Sequence, residues 1–564
     1  SQLALIDKYP NYIFGASQPQ HYEWVAEMYP EIFARIKKAV AENKWEVQGG
    51  MWVEADCNLI SGESMVRQFL YGKNYFKREF GVDVKNLWLP DVFGYSANLP
   101  QIMKKSGIDY FLTQKMSWSQ YNKFPHHTFL WEGIDSSEIL THFPPEDTYN
   151  SQLNTEYLIP GRDNFKERDF IDEFICLFGV GDGGGGPKEE NIEFGQKMAD
   201  LEGSPRVKFK SATEFFEGLE QYRDELLHWK GELYLELHRG TYTTQAKNKK
   251  FNRYFENKLR VIELLYSLQP LESYPQQELE DIWKIILTNQ FHDIIPGSSI
   301  NEAYKDSQKE YVECENKCEQ LLDDFAKVAF RESDNKLVVF NPHQFSYDAI
   351  IDLPEDWRDL RISSSNGEDI ETQVLNGKTS ALLEIEPFEF ITIQKNEKIN
   401  PCKSAQINKK LVLENDLIRY EFDEQGSLIS AFDRECEREL IDMQHPGNVL
   451  SLYEDRPLNW DAWDVDAFYR NCCIGKVRCD KSVVSGRGKL FDSLRIEYST
   501  DNSTITQEIR LVKSTKRLDF RTTVDWREKH KMLRVAFPVN VPVDSASFEI
   551  QFGIVKRPTH NNTS

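Results

Sequence analysis

Long apolar runs are missing from this sequence: no stretch in its 564 residues approaches the roughly 18 that cross a bilayer, which argues against a membrane-spanning helix. Positive charge is also short. Lysine and arginine number 68 against 91 acidic residues, a net charge of −23 that repels phosphate backbones and anionic membrane surfaces, so neither nucleic acid nor membrane is an expected partner. Cysteine is sparse, with nine residues in odd number and irregular spacing; no disulfide framework is expected, and a reducing, cytoplasmic compartment fits. Cys314 and Cys318 lie four apart and Cys472 and Cys473 are adjacent, and neither pair has the CxxC spacing of a zinc knuckle. The opening segment has no secretory apolar core, and no repeat recurs at a fixed period.

What is present is length and aromatic content. At roughly 150 residues per domain the chain holds three or four domains, and Phe, Tyr and Trp make up 13% of it, enough to supply stacking surfaces for sugars beyond an ordinary core. Up to about residue 240, short β-branched or aromatic runs alternate with amphipathic helical segments, the pattern of a (β/α)-barrel-like α/β domain. Strands are predicted at residues 12–15, 45–53, 86–90, 109–113, 129–131, 139–143, 174–180 and 207–210. Residues 241–332 read as long helices broken at Pro270, Pro275 and Pro296, a helical bundle middle domain. From 333 to 564 the period shortens to two, as in LVLENDLIRYEFDEQGSLISAFD, which predicts an antiparallel β-sandwich.

Four polar clusters interrupt this pattern. In LWLPDVFGYS an apolar strand ends at Pro90 and presents Asp91 on the loop beyond it. Reacting groups collect at that end of strands in barrels and open α/β sheets, and a carboxylate there can ligate a metal, act as base, attack carbon, or cap the next helix. In NQFHDIIPGSSI, His292 and Asp293 sit where an apolar helix runs into a turn. Imidazole is a common zinc ligand, and since neighbours cannot share one helix face the two are expected to do different jobs; a helix-capping role for the histidine is the plainer alternative. In FGVGDGGGGPKEE a predicted strand delivers Asp182 to Gly183–Gly186 and Pro187. Without a P-loop Lys and Ser/Thr, which Lys188 does not supply, or a GxGxxG pattern, this reads as a loop carrying an acid beside a pocket, or as a linker. In GELYLELHRGTYTTQ a predicted strand leads to His238, Arg239, Tyr242 and Gln245, which could hold a hydroxylated ligand; His238 and Arg239 are expected instead to stitch the barrel to the helices. Lys115, Trp118, His126 and His127, with the segment THFPPEDTYNS, could line the same mouth, and the His126, His127 pair is expected on a solvated loop.

Together WLPDVFGYSANLPQI, DYFLTQKMSW, FPHHTFLWEG, GVGDGGGGP, HRGTYTTQ, NQFHDIIPGSS and NWDAWDVDAFY resemble, in this order, glycoside hydrolase family 38, the α-mannosidases, in the form of their cytosolic and bacterial branch. The resemblance implies a retaining α-mannosidase with a covalent glycosyl-enzyme intermediate, Asp91 as nucleophile and zinc ligand, His292 as a second ligand, and Asp182 as acid/base. Two carboxyls about 5 to 5.5 Å apart are then expected. It further implies one zinc ion per site, an α-mannoside or oligosaccharide substrate, and substrate contacts from Asp293, Lys115 and Tyr242. The family's His-x-Asp zinc motif does not precede SQLALIDKYP, so the resemblance implies a fragment without that motif and without the C-terminal end, left with two of four protein ligands and weakened zinc binding. The rival readings are a metal-dependent carbohydrate deacetylase and an inactive sugar-binding relative; the number of subunits is left open.

Overall fold

A computed structural model describes residues 1–182, 184–358, 360–375, 377–398, 410–442 and 444–560. The chain begins as an α/β domain, continues as a mostly helical region and ends in a β-rich one, as the periodicities predict. It divides into two compact units. One holds Ser1–Asp323, Asn459–Asp464 and the chain from Asp544 onward; the other holds Asp324–Leu458 and Val465–Val543.

In the first unit, β1 (Phe14–Ala16) pairs in parallel with β2 (Trp45–Val47). A second, five-stranded sheet contains β3 (Asn86–Trp88), β4 (Tyr110–Leu112), β5 (Thr128–Glu132), β6 (Glu138–His142) and β7 (His228–Lys230), in the spatial order β3-β4-β6-β5-β7. All its neighbours run parallel except the β5–β6 hairpin. The strand predicted over residues 45–53 stops at Val47 because Gly49 and Gly50 turn the chain with φ of +93° and +70°. Neither 174–180 nor 207–210 forms a strand. Phe174 and Leu177 owe their apolar pattern to the core beside Phe165 and Phe216, and Phe209 packs on Tyr12 and Phe178, so burial without ladder pairing produced a strand-like signal. The strand predicted in GELYLELHRG likewise forms a single bridge, Leu233 to Tyr95.

Helix Gly62–Phe80 starts at Ser61, whose hydroxyl accepts from the Ser64 amide, and ends at Gly81. Its Gly72 lies against backbone: a Cβ there would stand 2.3 Å from the Gly50 carbonyl oxygen and 2.5 Å from the Met51 carbonyl carbon. This close approach fixes the chain that runs on to Glu54. Helices Ala246–Tyr266 and Asn301–Ala329 meet through stacked Phe251, Phe255 and Tyr311 rings. Cys314 and Cys318 are buried on the latter, their thiols pushed up to about 12 by burial, which makes them inert packing groups. The hairpin Ser545–Ile550 and Gly553–Pro558 also belongs to this unit: Gln551 donates to the carbonyls of Cys57, Asn58 and Ile60, and Arg557 pairs with Glu232.

The second unit is antiparallel throughout. Strands Lys336–Phe340, Phe390–Lys398 and Leu360–Ser364 form one sheet and Tyr347–Asp352, Lys378–Ile385 and Thr372–Leu375 another, with Ile362, Leu383 and Ile393 in the core between them. Two four-stranded sheets follow, around Leu413, Ile418, Leu494 and Ile509. Among the described residues no helix is long and apolar enough to cross a membrane.

Two consequences can be measured. Gly72→Ala must displace backbone, so it should destabilise the protein by about 1–3 kcal/mol, read as a lowered urea midpoint. His127 and His142 each accept a hydrogen bond from a backbone amide, of Lys166 and Ile175 respectively, and so are neutral in the fold. Burial lowers both pKa values, that of His127 to about 4. Their folded values lie below the unfolded 6.5, so the unfolded chain binds the extra protons and their contribution to stability is lost as pH falls from 6.5 toward 4. The drop in urea midpoint between pH 7 and pH 5 should shrink in His127→Gln.

Candidate active site

Asp91 follows β3 by three residues. Leu89 is tied to Leu112 and the Pro90 carbonyl accepts from the Gln114 amide, so the loop after β3 is pinned to the loop after β4. That second loop brings Lys115, which is 4% exposed and donates to Asp91 Oδ1 at 2.7 Å. The ammonium also lies over the Phe93 and Trp118 rings, at 5.1 and 4.7 Å from their centres. A buried cation with one carboxylate partner makes a strong charge-assisted pair that orients that carboxylate.

Opposite stands the turn that ends helix Gln276–Asn289. Ala55 bridges Phe291, and the Glu54 carbonyl accepts two hydrogen bonds from His292, from its amide at 3.1 Å and its Nδ1 at 2.8 Å. A carbonyl only accepts, so Nδ1 is the donor and Nε2 is the ring nitrogen turned toward the carboxylates. Nε2 lies 3.8 Å from Asp91 Oδ2 and 3.8 Å from Asp293 Oδ2, while Asp293 Oδ1 accepts from Ser298. The three ligand-type atoms lie within 4.8 Å of one another. Two carboxylates and an imidazole so gathered, with Lys115 the cation bonded to Asp91, suit a divalent ion of the zinc or manganese type.

This corrects two expectations. His292 and Asp293 lie beyond the helix end, where the turn lets neighbours converge, so they do not serve separate tasks by geometry. The donor set is three residues rather than the two, Asp91 and His292, that a chain lacking its metal motif was expected to retain.

Two neighbours went unrecognised. Glu54 is half-buried and bonded to Ser17; desolvation raises its pKa, with Asp91 and Asp293 adding to the rise and His292 opposing it. Like Asp91 it follows a strand end, which is the signal that could have found it. Tyr149, in the THFPPEDTYNS segment, donates to both oxygens of Asp182, at 3.2 and 3.4 Å. Burial raises its hydroxyl pKa, and Asp91 and Asp182 raise it further, so one phenol joins both acids. Asp182 itself is exposed, with φ of +54°, on a turn closed by the Val180 amide and Gly185 carbonyl; Gly183 lies outside the described residues.

The remaining candidates divide. Tyr242 ends a short turn and is partly exposed; burial raises its pKa, and its strongest electrostatic neighbours are Tyr234, Asp56 and Glu232, not the cluster. His238 and Arg239 face the 459–464 loop rather than the helices: the Arg239 amide donates to Asp464, and the His238 ring packs between Phe93 and Trp463. His127 is not on a solvated loop but 6% exposed, and His126 faces Glu167 at 3.5 Å.

A covalent retaining route on Asp91 is not supported. Both its oxygens are engaged, one by Lys115 and one toward His292 within the donor set, and Asp182 stands on an exposed turn. The site supports metal-assisted glycoside chemistry in general, with no assignment of stereochemical course.

Comparison with known proteins agrees. The glycosyl hydrolases family 38 N-terminal domain matches residues 1–232, the alpha mannosidase middle domain residues 236–328, and the family 38 C-terminal domain residues 413–564. Alpha-mannosidase G of Dictyostelium discoideum is 37% identical over 617 residues, covering 100% of this chain and 56% of the relative. Human alpha-mannosidase 2C1 is 37% identical over 580 residues, with 100% and 54% covered. The chain thus spans about half the length of these curated relatives. A crystal structure of an alpha-mannosidase from Enterococcus faecalis V583 shares the fold, with a TM-score of 0.79 at 17% identity over 99% of this chain and 74% of that one. The expectation of a remnant with two metal donors is corrected: models of both the N-terminal and the C-terminal family domains are matched, and a three-residue donor set is present. With three domain models matched in order and that donor set gathered where the first two regions meet, the chain belongs to the glycosyl hydrolase family 38 α-mannosidases.

Proposed function

We propose that this chain forms the active site of a zinc-assisted α-mannosidase acting on α-mannosides, including oligosaccharides. The observation that carries the reading is the convergence of the His292 ring, held through its Nδ1 by the Glu54 carbonyl, with the carboxylates of Asp91 and Asp293. Asp91, His292 and Asp293 would hold the ion, which when bound supplies a Lewis acid for sugar hydroxyls. Lys115 pairs with and orients Asp91, and Ser298 orients Asp293. Asp182 is our proton-transferring acid at the glycosidic oxygen; its support is the hydrogen bond from Tyr149, whose hydroxyl also feels Asp91. Asp293, Lys115 and Tyr242 are our substrate-contacting residues, with Tyr242 at the rim.

On the same reading residues 1–240 form the catalytic domain, 241–332 a helical domain that completes it through His292 and Asp293, and 333–564 the β-sandwich region. A reducing, cytoplasmic setting also belongs to it, and the eight described cysteines, all free, support that.

Elemental analysis should find one zinc per chain. A chelator should abolish hydrolysis of an aryl α-mannoside and zinc should restore it, while His292→Ala should weaken metal binding on the order of 100-fold. Chelator-insensitive turnover, or release of acetate from acetylated sugars instead of mannose, would sink the reading. Asp182→Asn should slow hydrolysis of alkyl mannosides about 10²–10⁴-fold and that of dinitrophenyl mannosides far less, since a good leaving group needs no proton. Equal losses on both would remove Asp182 from that role.

A further inference from the structure

From the metal cluster outward, a line of aromatic rings continues to the protein surface. Lys115, bonded to Asp91, covers Trp118 at 4.7 Å. Trp118 is 39% exposed, and its ring centre lies 5.9 Å from that of Trp460, 46% exposed, at an interplanar angle of 51°. The two indoles therefore form an open corner rather than a stack. Behind Trp460 lies Trp463, nearly parallel at 6.0 Å, and Trp463 meets the His238 ring edge to face at 5.2 Å. His238 returns the line to Phe93, which packs on His292 at 5.9 Å.

The loop that presents Trp460 is held in an unfavourable backbone. Trp460 and Ala462 have φ of +61° and +66°, and neither is glycine. Its anchors are specific. The Ala462 carbonyl accepts from Thr244, Asp464 accepts from the Arg239 amide, and the Ala462 and Trp463 carbonyls lie 3.1 and 3.0 Å from where a Cβ of Gly240 would stand. A strained loop, fixed on both sides and spent on holding an indole in solvent beside a polar cluster, implies a ligand for that indole.

The chemistry around the corner selects a sugar. Indole faces match the C–H face of a pyranose, and hydroxyls around such a ring need polar partners at its edge. Arg239 borders the loop through its amide on Asp464, with its Nε on Tyr234. His238, which packs on Trp463, is 1% exposed, and neither of its ring nitrogens has a hydrogen-bond partner among the described residues.

We propose that Trp118 and Trp460 form a leaving-group subsite, stacking the sugar on the reducing side of the bond to be cleaved, so that the protein selects mannosides whose leaving group is itself a pyranose. This rests on the α-mannosidase reading and adds to it a preference that the metal cluster alone does not create.

The test compares α-mannobiose with α-mannosyl fluoride, whose leaving group is too small to fill a second subsite, in the zinc-loaded protein. Trp460→Ala should lower the ratio of kcat/KM for mannobiose to that for the fluoride about 10-fold or more, with Trp460→Phe recovering most of the ratio. Trp118→Ala should act in the same direction. A ratio that stays within about threefold in Trp460→Ala overturns the subsite. A binding readout separates this failure from that of the parent reading: a sulfur-linked mannobiose should quench tryptophan fluorescence in the parent protein and not in Trp460→Ala. No quenching in the parent overturns the subsite, whereas quenching without turnover of either substrate keeps the subsite and sinks the mannosidase reading.

Discussion

The Glu54 carbonyl and its two hydrogen bonds from His292 hold the site together. One oxygen takes the amide and the Nδ1 proton of the same residue, which fixes where the imidazole is, which way it faces and which nitrogen is free. Remove that acceptor and the ring loses what aims Nε2 at the carboxylates, and the turn beyond helix Gln276–Asn289 loses its register on the α/β domain. Much of the surrounding structure secures Glu54 in turn. Gly72 brings a helix onto the Gly50 and Met51 backbone, Gln68 accepts from the Val53 amide, and Asp56 is bonded to Gln290.

Charge sets the second constraint. Asp91, Asp293 and Glu54 gather carboxyl groups in a largely buried space, which is unfavourable without counter-charge. Lys115 answers for Asp91, burial pushes Glu54 toward its neutral form, and the remaining negative potential is what a divalent ion would meet. The aromatic lining of Phe93, Trp118 and His238 lowers the local polarity and strengthens these terms together.

Much of this was legible in the chain because of where polar residues interrupt apolar runs. Asp91 was visible as the acid just past an apolar strand, and the three-part architecture was visible in the changes of period. The strands misread at 174–180 and 207–210 show the limit of periodicity: Phe209 packs as a strand residue would without pairing to anything. The placing of Asp293 was obscured by the assumption that the helix continues; the structure ends it at Asn289, and two residues a helix would splay apart converge. Tyr149 and Glu54 left only generic traces, since their importance comes from what folds against them.

The hairpin that holds Gln551 carries a consequence for how the molecule comes into being. Its amide bonds to three carbonyls between Cys57 and Ile60, about five hundred positions earlier, and the indoles of the 459–464 loop sit on the same unit. During synthesis from the N-terminus the hairpin emerges roughly five hundred residues after the segment it completes. Until the hairpin arrives, the carbonyls of Cys57, Asn58 and Ile60 lack the amide that joins them, so this unit closes through a pairing that local folding alone does not supply.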